Sequence, residues 1–98
     1  MFRAALVLCV SGVLAACGTS PPPVSPLDAS RANLQLADLQ DGRSLLLRKC
    51  GGCHRVPLPA EHPSHEWPAK LSEMSARAHV DDQQRQLIEA YLVTMAAR

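Results

Sequence analysis

Aromatic residues are scarce in this 98-residue chain, which has one phenylalanine, one tryptophan and one tyrosine. No segment alternates polar and apolar residues with the period of a strand, so we predict an all-α fold. Neither sign of charge dominates, since the formal net charge is +1, and nothing in the charge supports a nucleic-acid partner. A chain this short holds one small domain at most and buries little core by itself.

A compact motif stands in the middle of the chain, Cys50-Gly51-Gly52-Cys53-His54, and it is the attachment pattern of c-type haem. Two thiols one helical turn apart can add to the two vinyl groups on one edge of the porphyrin. The histidine that follows then supplies an axial nitrogen to the iron. We therefore predict one covalent haem c, bound through Cys50 and Cys53, with His54 as the proximal iron ligand.

Other kinds of site also contain a Cys-x-x-Cys pair, namely thioredoxin-like redox motifs, halves of zinc sites and disulfides. A zinc site needs two more ligands, and the chain has no second such pair. A thioredoxin-like fold needs strands, and none is predicted. The two remaining cysteines, Cys9 and Cys17, lie within and at the end of an N-terminal hydrophobic segment, so no cysteine is left for a structural disulfide.

Residues 1–16 have the features of a secretory signal peptide. A single positive charge at Arg3 precedes an apolar run over residues 4–10, and small residues follow it. The run is too short to span a bilayer as an anchor of the mature protein. Removal of this segment leaves nine basic and nine acidic residues, so the mature polypeptide is formally neutral before the haem propionates are counted.

The end of the signal segment, Leu14-Ala15-Ala16-Cys17, resembles the lipobox of bacterial lipoproteins. The resemblance implies cleavage before Cys17 and lipidation of that residue, which becomes the first residue of the mature chain. Several acyl chains are enough for a stable membrane anchor. The alternative is an ordinary cleaved signal with an incidental cysteine. Gly18 follows Cys17 where an aspartate would indicate retention in the inner membrane, so the resemblance favours the outer membrane.

Residues 17–37 are predicted to be the lipidated cysteine and a proline-rich tether. From Gly18 to Arg31 the prolines and small polar residues favour an extended, polyproline-like stretch that holds the folded part away from the membrane. Ala32 to Leu39 is compatible with a turn or two of helix. The folded domain is predicted to be residues 38–98.

Three helices are predicted in this domain. The first begins near Asp38 or Asp41, with Asp41 as a plausible N-cap, and runs into the Cys50 motif. Prolines make residues 56–64 a loop. Ser64 is then placed to cap a second helix over residues 65–78, in which Trp67, Leu71 and Met74 recur on one face.

The third helix is predicted to begin at Asp81, which makes a capping-box pattern with Gln84. Its apolar residues fall on one face and indicate a buried stripe that consists of Leu87, Ile88, Tyr91, Leu92 and Met95.

From about Asp41 to its end, the chain resembles the small monohaem class I cytochromes c of bacterial respiratory chains. Gly42 and Leu46 match the contact positions of the family's N-terminal helix, and Tyr91 matches the aromatic residue of its C-terminal helix. A narrower resemblance to a compact cytochrome c group rests on Pro57, Pro59, His62, Glu66, Trp67, Pro68 and Met74. The resemblance implies a compact fold of about three helices around one covalently bound haem.

The distal iron ligand is predicted on the basis of this resemblance to be Met74. A methionine on an apolar face is more often core filler, and this is the expectation for Met95. His79 is the second candidate for the distal ligand, whereas His62 and His65 are expected in a solvent-facing loop. The ring of Trp67 is expected to pack against the haem, with its N–H reaching a propionate or a backbone carbonyl.

These expectations describe a lipid-anchored one-electron carrier on the periplasmic side of the bacterial envelope, not an enzyme. Its partners would be another cytochrome or a periplasmic oxidoreductase, of which it is a plausible haem subunit. The alternative is a haem-based gas or redox sensor with an open or exchangeable distal position. A peroxidase is the weakest alternative, because only Arg77 and His79 offer a distal acid–base pair.

Overall fold

The structure is a computed structural model, and it describes residues 20–51 and 55–98. These residues form four α-helices and no strand, so the all-α prediction is confirmed. The helices are α1 (Pro26–Ala32), α2 (Leu36–Cys50), α3 (Trp67–Arg77) and α4 (Asp82–Ala96). Two short 3-10 helices, Pro59–Glu61 and Ser64–Glu66, lie between α2 and α3. The predicted signal peptide and Cys17 lie outside the described residues.

The most extensive contact between helices joins α2 and α4. Gly42 lies where they cross, and it is buried. A Cβ atom at this position would overlap the backbone carbonyl of Leu87 and would lie 3.0 Å from the Cβ of Tyr91. The two backbones therefore approach each other as closely as they do only because residue 42 has no side chain.

A single cluster of buried side chains forms the core between α2, α3 and α4. Leu39, Leu46, Tyr91 and Leu92 have no exposed surface, and Trp67 and Ile88 are 1% exposed. The apolar stripes predicted for the last two helices both face this cluster, with Met74 half-buried at its edge. Burial of each large apolar side chain contributes roughly 1.5–3 kcal/mol, so this cluster provides most of the stabilisation.

The helix starts show which local signals the fold uses. The capping box at α4 is confirmed, since the Gln84 N–H donates to Asp81 Oδ1 at 2.7 Å and the Asp81 N–H donates to Gln84 Oε1 at 3.1 Å. The predicted cap at Asp41 is wrong, because α2 begins five residues earlier and follows Gln35, which makes no side-chain cap. Ser64 does not cap α3 either, since a 3-10 turn intervenes and the N-cap is Glu66.

The proline-rich segment is not extended throughout, and this corrects the predicted tether. Residues 26–32 form α1, which begins with a capping box between Ser25 and Asp28 and with Pro26 at its first position. Before this helix, Pro21 is buried. We call residues 21–34 the N-terminal strap, because they contact both α2 and α4.

Candidate functional site

A small cleft lies at the C-terminal end of α2, where this helix meets α3 and the first turns of α4. Its cavity volume is only about 10 Å³, roughly the space of one water molecule, and it is partly open to solvent. Apolar and sulfur-containing side chains dominate its wall, and the residues that line it are Cys50, Leu71, Met74, Ser75, Ala78, Val80, Arg85 and Ile88. The cleft therefore brings together the first cysteine of the haem motif and the predicted distal ligand.

Cys50 is the last residue of α2 and is half-buried. Burial raises the pKa of its thiol, because the charged thiolate is disfavoured away from water. Reactive redox cysteines of the thioredoxin type need a lowered pKa instead. The raised pKa therefore argues against a disulfide-exchanging role of the thioredoxin type for Cys50.

The two methionines of the folded part have different environments. Met95 is 4% exposed and belongs to the core cluster, in agreement with its predicted packing role. Met74 lies on α3 at the edge of the core and lines the cleft. Of these two thioethers, only that of Met74 belongs to a residue in the cleft wall that contains Cys50.

The three histidines among the described residues, His62, His65 and His79, do not line the cleft. His79 follows the end of α3 in the left-handed conformation, with φ 54°, and it is exposed. The N–H of the next residue, Val80, donates to the Ser75 carbonyl at 3.1 Å, which ends the helix as a glycine-type C-cap would. His79 therefore has a backbone role at the α3–α4 turn, and it does not line the cleft.

His62 was expected to face solvent, but it is only half-exposed and contacts two neighbouring side chains. Its ring meets the ring of Trp67 edge to face, with centroids 5.0 Å apart and an interplanar angle of 81°. Its Nδ1 lies 3.6 Å from a carboxylate oxygen of Glu66. His65 is exposed, as expected.

Trp67 fixes the proline-rich loop to the core. It is 1% exposed, and its indole N–H donates a buried hydrogen bond of 3.1 Å to the carbonyl of Pro59. Of the two acceptors expected for this N–H, the backbone carbonyl is the one observed. Packing of the Trp67 ring on a haem stays a prediction.

Arg85 is a member of the cleft wall that no sequence pattern indicated. It is the one charged residue among those that line the cleft, and it lies in the first turn of α4 after the Asp81 cap. Its guanidinium is 3.4 Å from a carboxylate oxygen of Glu89, one turn further along the helix. The i,i+4 spacing of these two residues was visible in the sequence, but the position of Arg85 in the cleft wall with Cys50 depends on the crossing of α2 and α4.

Cys53 and His54 lie outside the described residues, so the second attachment point and the proximal ligand stay predictions. Within residues 20–51 and 55–98, no group of three or more histidine, cysteine or acidic side chains converges on a metal-sized site. The same residues contain no helix that is long and apolar enough to cross a membrane.

The residue types that line the cleft are chemically compatible with a covalently attached haem, although the cleft itself is too small to contain one. A thiol at the end of a helix, an apolar wall and a thioether on a neighbouring helix are the groups that a haem with one sulfur ligand requires. Haem supplies apolar volume that a short chain lacks, and the half-buried state of Cys50 and Met74 leaves surface for it to cover.

Comparison of this chain with protein-family models, with curated proteins and with solved structures finds no match.

Proposed function

We propose that this protein is a lipid-anchored, periplasm-facing one-electron carrier with one covalent haem c. The observation that carries the proposal is the cleft in which Cys50 of the Cys-x-x-Cys-His motif and Met74 are both wall residues. Cys50 and Cys53 would form the thioether bonds, and His54 and Met74 would be the axial ligands. When bound, the haem supplies reversible one-electron chemistry at iron.

The chain's own residues contribute orientation and burial. Helix α2 ends at Cys50, so the first cysteine of the motif is held at a fixed distance from the α2–α4 crossing. Trp67, through Pro59, ties down the loop that follows the motif. Helix α3 presents Met74 on the face that also carries Trp67 and Leu71, and Leu71 lines the cleft beside it.

A thioether ligand suits ferrous iron and raises the reduction potential relative to a second histidine. Arg85 is the charged residue of the cleft wall, but the Glu89 carboxylate, 3.4 Å from its guanidinium, offsets its positive charge. Two axial ligands also favour transfer of electrons over binding of small molecules. A transient contact with another cytochrome or a periplasmic oxidoreductase would be sufficient for exchange.

The proposed ligand is tested by absorption spectra of the mature protein, produced in a periplasm that attaches haem c. We expect the weak far-red band of a thioether bound to ferric haem, lost in Met74→Leu and kept in Met95→Leu. Met95→Leu is the matched control, because it makes the same volume-conserving change to a methionine in the core.

Two other outcomes would overturn parts of this proposal. A low-spin spectrum that is unchanged in Met74→Leu but lost in His79→Ala would assign the distal position to His79. A high-spin ferrous form that binds carbon monoxide at once would contradict the electron carrier and support the sensor.

A further inference from the structure

The N-terminal strap is joined to the helices by two specific hydrogen-bond sets. The guanidinium of Arg43 donates to the carbonyl of Pro21 through Nε at 3.1 Å and through Nη2 at 3.0 Å. The hydroxyl of Tyr91 donates to the carbonyl of Pro22 at 2.6 Å. Because Pro21 is also buried, the strap is a docked part of the fold from its first residue.

A second attachment lies at the other end of the strap. Asp28 is 1% exposed, and its carboxylate is 2.6 Å from Arg31 and 3.3 Å from Arg98, which follows α4. The Ser25 hydroxyl and N–H both donate to the same carboxylate at 2.9 Å. Helix α1 is thereby fixed next to the C-terminal end of α4.

The docked strap leaves little chain between the folded body and the proposed anchor. Cys17 is four residues before Pro21 in the sequence, so their Cα atoms are at most about 14 Å apart. A domain on so short a connection cannot turn freely above a bilayer. A lipid on Cys17 would therefore keep the surface formed by the strap close to the bilayer.

Exposed apolar side chains are concentrated on this side. The structure has three exposed large hydrophobic residues among those described, and two of them, Leu27 at 67% and Leu34 at 42%, belong to the strap. Leu47 on α2 is the third, at 36%. Burial of the apolar surface of a leucine in a membrane interface is favourable, so it stabilises binding to the membrane.

The cleft lies at the opposite end of the α2–α4 pair. Along α2, Cys50 is seven residues beyond Arg43, which is about 10 Å on the helix axis. Along α4, Arg85 of the cleft precedes Tyr91 of the strap contact by six residues, or about 9 Å. The strap and the cleft therefore occupy different ends of the molecule.

We propose that the strap lays the domain against the bilayer that holds the Cys17 lipid, with Leu27 and Leu34 in the interface and the cleft directed away from it. This inference rests on the proposed lipidation of Cys17. It assigns the membrane-facing surface, and it leaves the cleft end open to a soluble partner.

The test uses the lipidated haem protein on vesicles of phosphatidylethanolamine and phosphatidylglycerol. Single cysteines are introduced by Ser30→Cys in the strap and by Ala76→Cys on the exposed side of α3. Their rates of reaction with a polyethylene glycol maleimide are compared with those of the same variants exported without a lipid. We expect the rate at residue 30 to fall at least fivefold on vesicles and the rate at residue 76 to change less than twofold.

Substitution of the two exposed leucines tests the interface itself. Leu27→Ser combined with Leu34→Ser should restore most of the labelling at residue 30, whereas the control Leu47→Ser should leave the protection in place. Equal protection at residues 30 and 76, or protection that Leu27→Ser and Leu34→Ser leave unchanged, would overturn the inference. Vesicle flotation and haem spectra are measured on the same samples. Protein that does not float, or that has no haem, would contradict the proposed function. Protein that floats and has haem but shows either labelling result above would contradict only the proposed orientation.

Docking of the strap is tested separately by trypsin. Cleavage after Arg31 should be slow in the wild-type protein and at least tenfold faster when Arg43→Ala and Tyr91→Phe remove both hydrogen-bond sets. Cleavage after Arg77, which is exposed on α3, is the internal control and should not change. Rapid cleavage after Arg31 in the wild-type protein would contradict a docked strap.

Discussion

The two ends of the α2–α4 pair are built differently. At the crossing and under the strap, backbones touch through Gly42, and Tyr91 and Leu92 have no exposed surface. At the cleft end, Cys50 and Met74 are both half-buried. The comparison indicates that backbone contact is closest at the crossing, whereas at the cleft end the buried Leu71 and Ile88 are joined by two wall residues, Cys50 and Met74, that keep part of their surface exposed.

Gly42→Ala should give the largest effect, because it acts where the two backbones are in contact. The added Cβ overlaps the Leu87 carbonyl, and overpacking of this kind costs about 1–3 kcal/mol, more than the helix propensity that alanine gains. We expect the free energy of unfolding to fall by about 2 kcal/mol in urea titrations followed by circular dichroism.

Ser44→Ala is the matched control for this change, since residue 44 is exposed on the same helix. Its free energy of unfolding should differ from that of the wild-type protein by no more than about 0.5 kcal/mol. A Gly42→Ala protein as stable as Ser44→Ala would show that the helices do not cross at residue 42.

Trp67→Phe should give the second-largest loss of stability, because Trp67 joins the core to the loop that follows the Cys50 motif. The change leaves the Pro59 carbonyl without its buried donor and removes part of a fully buried ring. We expect a loss of about 2 kcal/mol in the same titrations. His62→Ala, which removes the edge contact to this ring and the contact with the Glu66 carboxylate, should cost less than Trp67→Phe.

Tyr91, at the α2–α4 crossing, should make the free energy of unfolding fall at alkaline pH. Burial is the main cause that raises the pKa of its hydroxyl from 10.0 to about 12. The neutral form is therefore favoured in the folded state, so its contribution is fully present below pH 10 and is lost as the pH rises towards 12.

This prediction is tested by measuring the urea concentration at the midpoint of unfolding between pH 8 and pH 12. The decline above pH 10 should be smaller in Tyr91→Phe, which also loses about 1 kcal/mol at neutral pH with the hydrogen bond to Pro22. Because Tyr91 is the single tyrosine of the chain, its ionisation can also be followed by ultraviolet absorbance. Ionisation near pH 10 in the folded protein would contradict the burial.

Substitution of Asp28 should give the smallest change in the free energy of unfolding, and this change should depend on pH in the acid range. The hydrogen bond from the Ser25 backbone is the largest cause that lowers the pKa of its carboxyl from 3.8 to about 2, with further contributions from Arg31 and Arg98. Its stabilising contribution is present above pH 3.8 and is lost as the pH falls through 2.

Asp28→Asn should flatten the acid dependence of unfolding in this range and speed trypsin cleavage after Arg31. Asp38→Asn, at an exposed position in the first turn of α2, is the control and should do neither. An unchanged acid dependence in Asp28→Asn would show that this carboxylate does not hold α1 to the end of α4.

The same comparison explains how much could be predicted from the sequence. The stripe of α4 and its Asp81–Gln84 box were predictable, because both signals depend on residues within four positions of each other. Helix α1 had a similar local signal in Ser25, Pro26 and Asp28, but the surrounding prolines favoured an extended chain. Of the two predicted starts of α2, the one near Asp38 is close to the observed Leu36, whereas the cap at Asp41 was wrong because the actual N-cap, Gln35, makes no side-chain hydrogen bond.

Contacts between distant residues had no local signal. The hydrogen bonds that dock the strap join residues 22 and 69 positions apart. The place of Arg85 in the cleft wall likewise follows from how α4 crosses α2. In contrast, Met74 was singled out as distal iron ligand through the resemblance to class I cytochromes c, and this assignment stays a prediction; the structure shows that Met74 and Cys50 line the same cleft.

Covalent attachment of haem is the central claim, and mass spectrometry of the mature protein tests it most directly. The protein is exported in a bacterium that matures c-type cytochromes, purified, and analysed after denaturation, which removes any haem that is not covalently bound. We predict a mass that includes one haem, with two thioether bonds, and loss of that mass when Cys50→Ser and Cys53→Ser are combined. A wild-type chain that leaves the same periplasm without haem, while a known c-type cytochrome expressed beside it is matured, would contradict the account.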